Sequence, residues 1–220
     1  MSLWDSSFNG RYRMKETVIN KQLLRIKMRR ERQNLSTQQQ HEASKNVLNN
    51  LLSLSSFNQA QDIAIYLAAD GEIDPIHIIE YCWAHNKTVY LPVLDPDKHN
   101  QLLFVRYTAD TKMCFNKYQI SEPATPYQHL KPAKDFDLVL FPLVAFDKQG
   151  HRMGMGGGYY DRSFEFKQQA GNRETKPILV GLAHEIQKVD NLVVESWDIA
   201  LSNIVTDQST YCAEAIHDFS

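Results

Sequence analysis

Residues 137–146 read Asp-Leu-Val-Leu-Phe-Pro-Leu-Val-Ala-Phe, and residues 150–158 read Gly-His-Arg-Met-Gly-Met-Gly-Gly-Gly. The first run is apolar almost throughout, which predicts a central strand buried on both faces. The second run follows closely, and four of its glycines, at 154, 156, 157 and 158, fall within five residues. A helical pattern from about Tyr159 to Gln169 comes next. Strand, glycine loop and helix in that order form one unit of a parallel α/β sheet. The loop has the makings of a phosphate site: glycine admits positive φ and close approach of a ligand, and amides at a helix start attract anions. Arg152 can add a charge-assisted contact. The loop lacks the Gly-Lys-Ser/Thr ending of a P-loop and the acid placed after a Rossmann loop. The plain alternative is a tight strand-to-helix turn without a ligand.

Working outward from this unit, short strands are expected at 63–69, 88–94, 102–107, 177–183 and 203–206. A helix is expected from Lys15 to Arg32, with Ile19, Leu23 and Ile26 as its apolar face. Ser36 and Gln39 resemble a capping box ahead of a second helix carrying Val47, Leu48, Leu51 and Leu52. Asp74 and Pro75 open a third, with Asp74 as the cap. Residues 108–135 look irregular and contain Pro123, Pro126 and Pro132. The expected fold is therefore α/β, a three-layer α/β/α arrangement with a largely parallel central sheet. Residues 1–14 read as a flexible leader, with Met14 as an alternative start, and 15–220 as a single domain.

Composition narrows the class. The chain has 220 residues, 43% hydrophobic and 23% charged, enough to bury a core in one domain. No apolar stretch approaches the ~20 residues of a membrane span, and residues 1–15 contain no secretory apolar region. Cys82, Cys114 and Cys212 are far apart, which speaks for a reducing compartment and against a disulfide framework or zinc site. We therefore expect a cytoplasmic location and no membrane partner. Residues 1–33 hold nine basic and three acidic residues, net +6, leaving −8 to the rest of a chain whose total is −2. A basic arm can bind phosphate or nucleic acid, but the acidic remainder disfavours a broad nucleic-acid surface.

Four segments in order resemble the 5-formyltetrahydrofolate cyclo-ligase (methenyltetrahydrofolate synthetase) family. They are Lys21-Gln-Leu-Leu-Arg25, Tyr66-Leu-Ala-Ala-Asp-Gly-Glu-Ile-Asp74, the loop Arg152-Met-Gly-Met-Gly-Gly-Gly-Tyr-Tyr-Asp-Arg162, and Trp197-Asp198-Ile. The resemblance spans about 15–207 and implies a fold related to ribose-phosphate isomerase and CoA-transferase domains. It also implies ATP as co-substrate, Mg²⁺, and conversion of 5-formyltetrahydrofolate to 5,10-methenyltetrahydrofolate; a monomer is expected, although the sequence does not itself give the oligomeric state. The chain departs from other members in carrying Met155 and Gly157 where they have Arg and Lys. It also has Ser202 and Asn203 where a second acid often follows the one at Asp198.

The residue roles combine local reading with this resemblance. Lys21 and Arg25 lie at i and i+4 on one helix face, opposite the apolar one, and by themselves read as a solvated basic stripe. The resemblance assigns both to the ATP phosphates, with Arg152, the loop Met153, Gly154, Met155, Gly156, Gly157 and Gly158, and Tyr160. Lys21 and Arg152 are the expected catalytic cations. Arg29, Arg30 and Arg32 are expected to stay as surface charge. Glu72 sits just past a strand end, where α/β folds place ligands, and a carboxylate can accept two donors. The resemblance makes it a folate contact, with Leu67 as apolar wall and Tyr118 and Tyr159 as aromatic contacts. Mg²⁺ takes one or two carboxylates beside phosphate oxygens, and Asp161 and Asp198 are the candidates. Among the histidines, only His184 near a strand end draws notice. Two other classes remain open: a sugar-phosphate isomerase or CoA-transferase-like enzyme, and a non-catalytic nucleotide- or RNA-binding protein.

Overall fold

The run at 137–146 lies in the middle of the sheet in a computed structural model that describes residues 6–124, 129–169, 175–195 and 197–213, with side chains from residue 20 onward (Gln169 excepted). The helices are α1 (Ser6–Gln33), α2 (Thr37–Leu51), α3 (Ser55–Gln59), α4 (Ile76–Ala84), α5 (Tyr159–Ser163) and α6 (Phe166–Gln169). The first strands are β1 (Asp62–Ala64), β2 (Thr88–Leu94), β3 (Leu102–Tyr107), β4 (Met113–Phe115), β5 (Ser121–Pro123) and β6 (Leu138–Pro142). They are followed by β7 (Ala145–Phe146), β8 (Arg152–Met153), β9 (Ile178–Ala183), β10 (Asn203–Thr206) and β11 (Thr210–Cys212).

The main sheet has the order β11-β10-β9-β6-β1-β2-β3. Its interior pairs are parallel, and β3 and β11 add antiparallel edges. The expected α/β class holds. Leu138 and Leu140 face one core with Val47, Leu51, Phe57 and Ile78. Val139 and Phe141 face the other, with Phe136, Phe164 and Leu201. Burial on both faces explains why this stretch shows no polar alternation. Helices α2, α3 and α4 cover the first face, and α2 begins with the expected capping box at Ser36 and Gln39. The second face is covered by the short α5 and α6 and by the chain around Ile199 and Leu201.

Several expected elements are shorter or divided. The strand at 63–69 is confined to β1; Ile65 N–H still reaches Tyr90 O, and the chain then turns at Asp70 (φ 54°) and Gly71 (φ 74°). The strand at 137–146 ends at Pro142, which has no amide hydrogen to extend the ladder. Ala145–Phe146 instead pairs with Arg152–Met153 in a separate ribbon that carries the glycine loop. The expected helix 159–169 breaks into α5 and α6. The irregular 108–135 region holds the β4–β5 hairpin, and Pro126 lies outside the described residues. Helix α1 starts at Ser6, within the segment read as a leader; residues 1–5 and 214–220 lie outside the description. Among the described residues, no helix is long and apolar enough to cross a membrane.

The main correction concerns the facing of α1. Leu23 is 58% and Ile26 63% exposed, and the Ile19 side chain is outside the description. The inward positions are instead Lys21, Leu24, Arg25, Met28 and Arg32, also spaced by three and four. The helix does not lie on a sheet face. Leu24 and Met28 dock on Val144, Ala145 and Met153 beside the glycine ribbon, and the basic side chains point where a cavity opens. Arg32, expected at the surface, is fully buried.

Candidate active site

Beyond the C-terminal ends of β1, β2 and β6 lies a cavity of about 1420 Å³. Open α/β sheets place ligands at this end. Lys21 and Arg25 of α1, Leu67 and Glu72 after β1, and Tyr118 of the β4–β5 hairpin all line it. So do Arg152, the loop from Met153 to Gly158, Tyr159, Tyr160, Asp161 and Asp198. One cavity thus collects every residue given a catalytic, nucleotide, folate or metal role from the sequence. Its volume exceeds the ~300–1,000 Å³ usual for one ligand.

The glycine-loop end is cationic. Arg25 Nε donates to Gly154 O at 2.9 Å, and Gly156 has φ 96°. A Cβ at 156 would lie 3.6 Å from the Arg25 guanidinium, so the loop and this side chain share the same space. Lys21 Nζ meets Glu195 at 3.0 Å across the cavity. Asn100 Nδ2 donates to Gly157 O at 2.8 Å. Arg152 stacks over Phe141, 4.9 Å from the ring centre, and donates to Ile199 O and, at 2.5 Å, to Asp161 Oδ1. The helix after the loop has only five residues, so its dipole is weak; loop amides and side-chain cations carry the attraction for anions.

Elsewhere the lining includes a buried carboxylate, Glu72. Glu72 Oε2 accepts from Ala69 N at 3.1 Å, and Oε1 lies 3.6 Å from Arg32 Nη2. Burial pushes the Glu72 carboxyl up to about 7, against the pull of Arg32. Tyr66 hydroxyl donates to Ile73 O at 2.9 Å. Tyr160 packs its ring 4.6 Å from Phe141, and burial raises its hydroxyl far above the ordinary tyrosine value. It is a core-packed wall of the cavity. Tyr159 differs: its hydroxyl meets that of Tyr118 at 2.9 Å, joining the hairpin to the glycine loop. Asp74 caps as expected in substance, accepting from Ile76 N at 3.0 Å, although Pro75 holds the cap position of α4.

The acids expected to bind metal suit an ion that keeps water and phosphate ligands. Arg152 and the Ile199 amide both address Oδ1 of Asp161, leaving Oδ2 without a protein hydrogen bond among the described residues. Asp198 accepts from Glu195 N through Oδ2 at 2.8 Å, and Oδ1 has no protein hydrogen bond among the described residues. No cluster of three or more His, Cys, Asp or Glu that could hold a metal occurs among the described residues. Mg²⁺ does not need one, since it uses one or two carboxylates beside phosphate oxygens.

Sequence reasoning missed other participants. Glu195 sits opposite Lys21, 174 positions further along the chain; only its place three residues before Asp198 hinted at the site. Trp197 is 61% exposed and lines the cavity. Arg29 and Arg32, expected as surface charge, instead grip Asp70 beside Glu72. His184 is buried behind the cavity wall with Nε2 3.2 Å from Gly71 O, and burial lowers its pKa, so it supports the turn as a neutral ring.

One cavity lined by a cationic glycine loop and a buried carboxylate is the arrangement of an α/β enzyme. The model of the 5-formyltetrahydrofolate cyclo-ligase family matches residues 17–207. The chain belongs to that family. It is 44% identical over 185 residues to the 5-formyltetrahydrofolate cyclo-ligase of Haemophilus influenzae, covering 84% of this chain and 96% of that one. It is 37% identical over 184 residues to the Escherichia coli K12 cyclo-ligase, covering 84% and 98%. The NMR structure of Aquifex aeolicus 5,10-methenyltetrahydrofolate synthetase superposes with a TM-score of 0.73 at 28% identity, covering 91% of this chain and 99% of that one. The Mycoplasma pneumoniae synthetase shares the fold at a TM-score of 0.65 and 22% identity, covering 85% and 98%.

Proposed function

We propose that the protein is a cytoplasmic enzyme that converts 5-formyltetrahydrofolate and ATP, with Mg²⁺, into 5,10-methenyltetrahydrofolate, ADP and phosphate. The observation that carries this reading is the joining of a cationic glycine loop and a buried carboxylate in one cavity of about 1420 Å³. The pterin presents an amide N–H and an amino group side by side. Glu72 offers Oε1 and the second lone pair of Oε2 to such a pair of donors. Leu67 supplies apolar wall, and Tyr118 and Tyr159 border the entrance. Lys21, Arg25 and the loop from Met153 to Gly158 receive the triphosphate.

The formyl group is amide-like and a poor electrophile. Transfer of the γ-phosphoryl to the formyl oxygen releases ADP and makes that oxygen a leaving group. The second folate nitrogen then attacks the formyl carbon and gives up its hydrogen as a proton, phosphate departs with the oxygen and takes up that proton, and the ring closes. Such transfer depends on positioning and charge neutralisation more than on a protein nucleophile. Lys21 and Arg152 supply charge beside the transferring group, and binding of the triphosphate requires Lys21 to exchange Glu195 for phosphate oxygens. Asp161 and Asp198 would hold Mg²⁺, which neutralises phosphate charge when bound. The test is methenyltetrahydrofolate formation followed by absorbance, with ATP and Mg²⁺ each added and withheld. Product should appear only with both; turnover without nucleotide would sink the proposal.

A further inference from the structure

We propose that Arg32 is a positioning residue for the co-substrate end of the site: it locks the 69–72 turn that presents Glu72, and ties that turn to the helix bearing Lys21 and Arg25. This inference rests on the reading of Glu72 as the folate contact.

A buried guanidinium is costly unless its donors are met, and removal of one partner leaves an expensive orphan. Arg32 is fully buried, and its donors go to a small set of acceptors. Nε donates to Asp70 O at 2.8 Å, Nη2 to Asp70 Oδ2 at 2.8 Å, and Nη1 to Leu143 O at 2.9 Å, where the chain leaves the central strand. The turn it holds is not one the chain adopts freely. Asp70 and Gly71 are consecutive residues at φ 54° and 74°, and a non-glycine residue there persists only when its surroundings impose it.

The other restraints converge on the same turn. Arg29 grips the Asp70 carboxylate with two bonds, at 2.6 and 3.0 Å, and Gln33 adds another. Gln40 Nε2 reaches Gly71 O at 3.4 Å, and His184 Nε2 approaches the same oxygen at 3.2 Å. A Cβ on Gly71 would stand 3.2 Å from the Arg32 carbonyl, so the turn rests directly on the α1 backbone. Nothing in the general requirements of an α/β fold calls for this many bonds on one four-residue turn. What the turn does is deliver Glu72.

Arg32 serves that carboxylate without saturating it. At 3.6 Å, its Nη2 supplies charge but no hydrogen bond to Oε1, which leaves that oxygen free for a ligand. The charged and titratable groups around Glu72 are Arg29 and Arg32 on α1, Asp70 and Asp74 on its own loop, Tyr66 before the turn, and Tyr160 on α5. His184 stands behind Gly71. Arg29 is already bidentate on Asp70, which leaves Arg32 as the cation nearest the carboxylate. Lys21 and Arg25 lie eleven and seven residues earlier on the same helix, roughly 16 and 10 Å along its axis. The same helix therefore carries both the cations beside the glycine loop and the side chain that holds the turn.

The experiment uses Arg32→Met, Arg32→Lys and Asp70→Asn in the full chain. Calorimetry gives the Kd of 5-formyltetrahydrofolate and of ATP with Mg²⁺, and the folate Kd is repeated across pH 5.5–8.5. Arg32→Met should weaken folate binding about tenfold or more and move the pH at which binding is lost upward, while ATP affinity changes less than about threefold. Arg32→Lys keeps the charge and loses the fork, so folate binding should weaken without an upward move of the pH midpoint. Asp70→Asn, at a partly exposed position, guards against an Arg32 variant that does not fold; it should raise the folate Kd several-fold with the folate KM following and kcat little changed. A folded Asp70→Asn or Arg32→Lys protein with wild-type folate affinity overturns this proposal alone. Wild-type protein that binds no 5-formyltetrahydrofolate overturns it together with the proposed function.

Discussion

Glu72 and Gly156 both line the cavity, and each makes a separable prediction. The Glu72 carboxyl titrates near 7, raised from an ordinary 4.5 chiefly by burial. Its ionised form is the one that can accept two donors, so folate affinity should fall as pH drops through about 7. Stability runs the other way. The folded state holds this proton more tightly than the unfolded state, so the contribution of Glu72 to stability declines as pH rises from 4.5 to about 7. Glu72→Gln should flatten both dependences and cost about 1.5–3 kcal/mol of folate binding, with ATP binding nearly intact; unchanged folate affinity by calorimetry would remove Glu72 from the pterin site. Gly156 at φ 96° faces the Arg25 guanidinium, and valine there is strained and intrudes on the space phosphate needs. Gly156→Val should lose ATP affinity while still folding. Normal ATP affinity in the folded fraction would mean that the loop is a turn and nothing more.

At the scale of elements, α1 shows which kind of pattern sequence reasoning handles and which it does not. The stretch at 138–142 was legible because both its faces meet apolar cores, and a run such as Leu-Val-Leu-Phe has no other economical place. The glycine loop and the acid after the first strand were legible because their chemistry is local. Helix α1 was turned to the wrong side because apolar periodicity reports a helix lying on a core, whereas this one borders a cavity and directs its cations inward. The Lys21–Glu195 and Arg32–Asp70 pairs join residues 174 and 38 apart, and no local spacing announces them. The two faces of α1 can be told apart by substitution. Leu23→Glu and Ile26→Glu, at positions more than half exposed, should leave turnover within about twofold of wild type and stability within ~0.5 kcal/mol. Lys21→Ala and Arg25→Ala should raise the ATP KM about tenfold or more, each removing a charged partner of phosphate. Loss of turnover in the Leu23 and Ile26 variants, with Lys21 and Arg25 silent, would reverse the assignment of the faces.

At the scale of the whole molecule, the cavity is bounded by α1, the end of the sheet, the glycine ribbon, the β4–β5 hairpin and the 192–198 segment. Among the described residues these parts are joined across the opening by hydrogen bonds such as Tyr118 with Tyr159, Lys21 with Glu195, and Gln168 with the Trp197 carbonyl. Ligands that touch several parts at once should therefore stabilise the fold measurably. Anything that binds only the folded state adds RT ln(1 + [L]/Kd), about 2.7 kcal/mol at a hundredfold excess over Kd. For a domain of this size, each kcal/mol moves Tm by roughly 2–4 °C, so saturation at that level should raise it by roughly 5–11 °C. A non-hydrolysable ATP analogue avoids turnover during the scan. With Mg²⁺, it should produce the shift, and 5-formyltetrahydrofolate alone should produce one of its own. Since Glu72 and the glycine loop share no side chain, the two shifts should be close to additive when both ligands are present. Glu72→Gln should then reduce only the folate shift, and Gly156→Val only the nucleotide shift. A nucleotide shift equal with and without Mg²⁺ would remove Asp161 and Asp198 from metal binding. Mutual exclusion of the two ligands would show that they compete for one end of the cavity, and the division into a phosphate end and a pterin end would have to be abandoned.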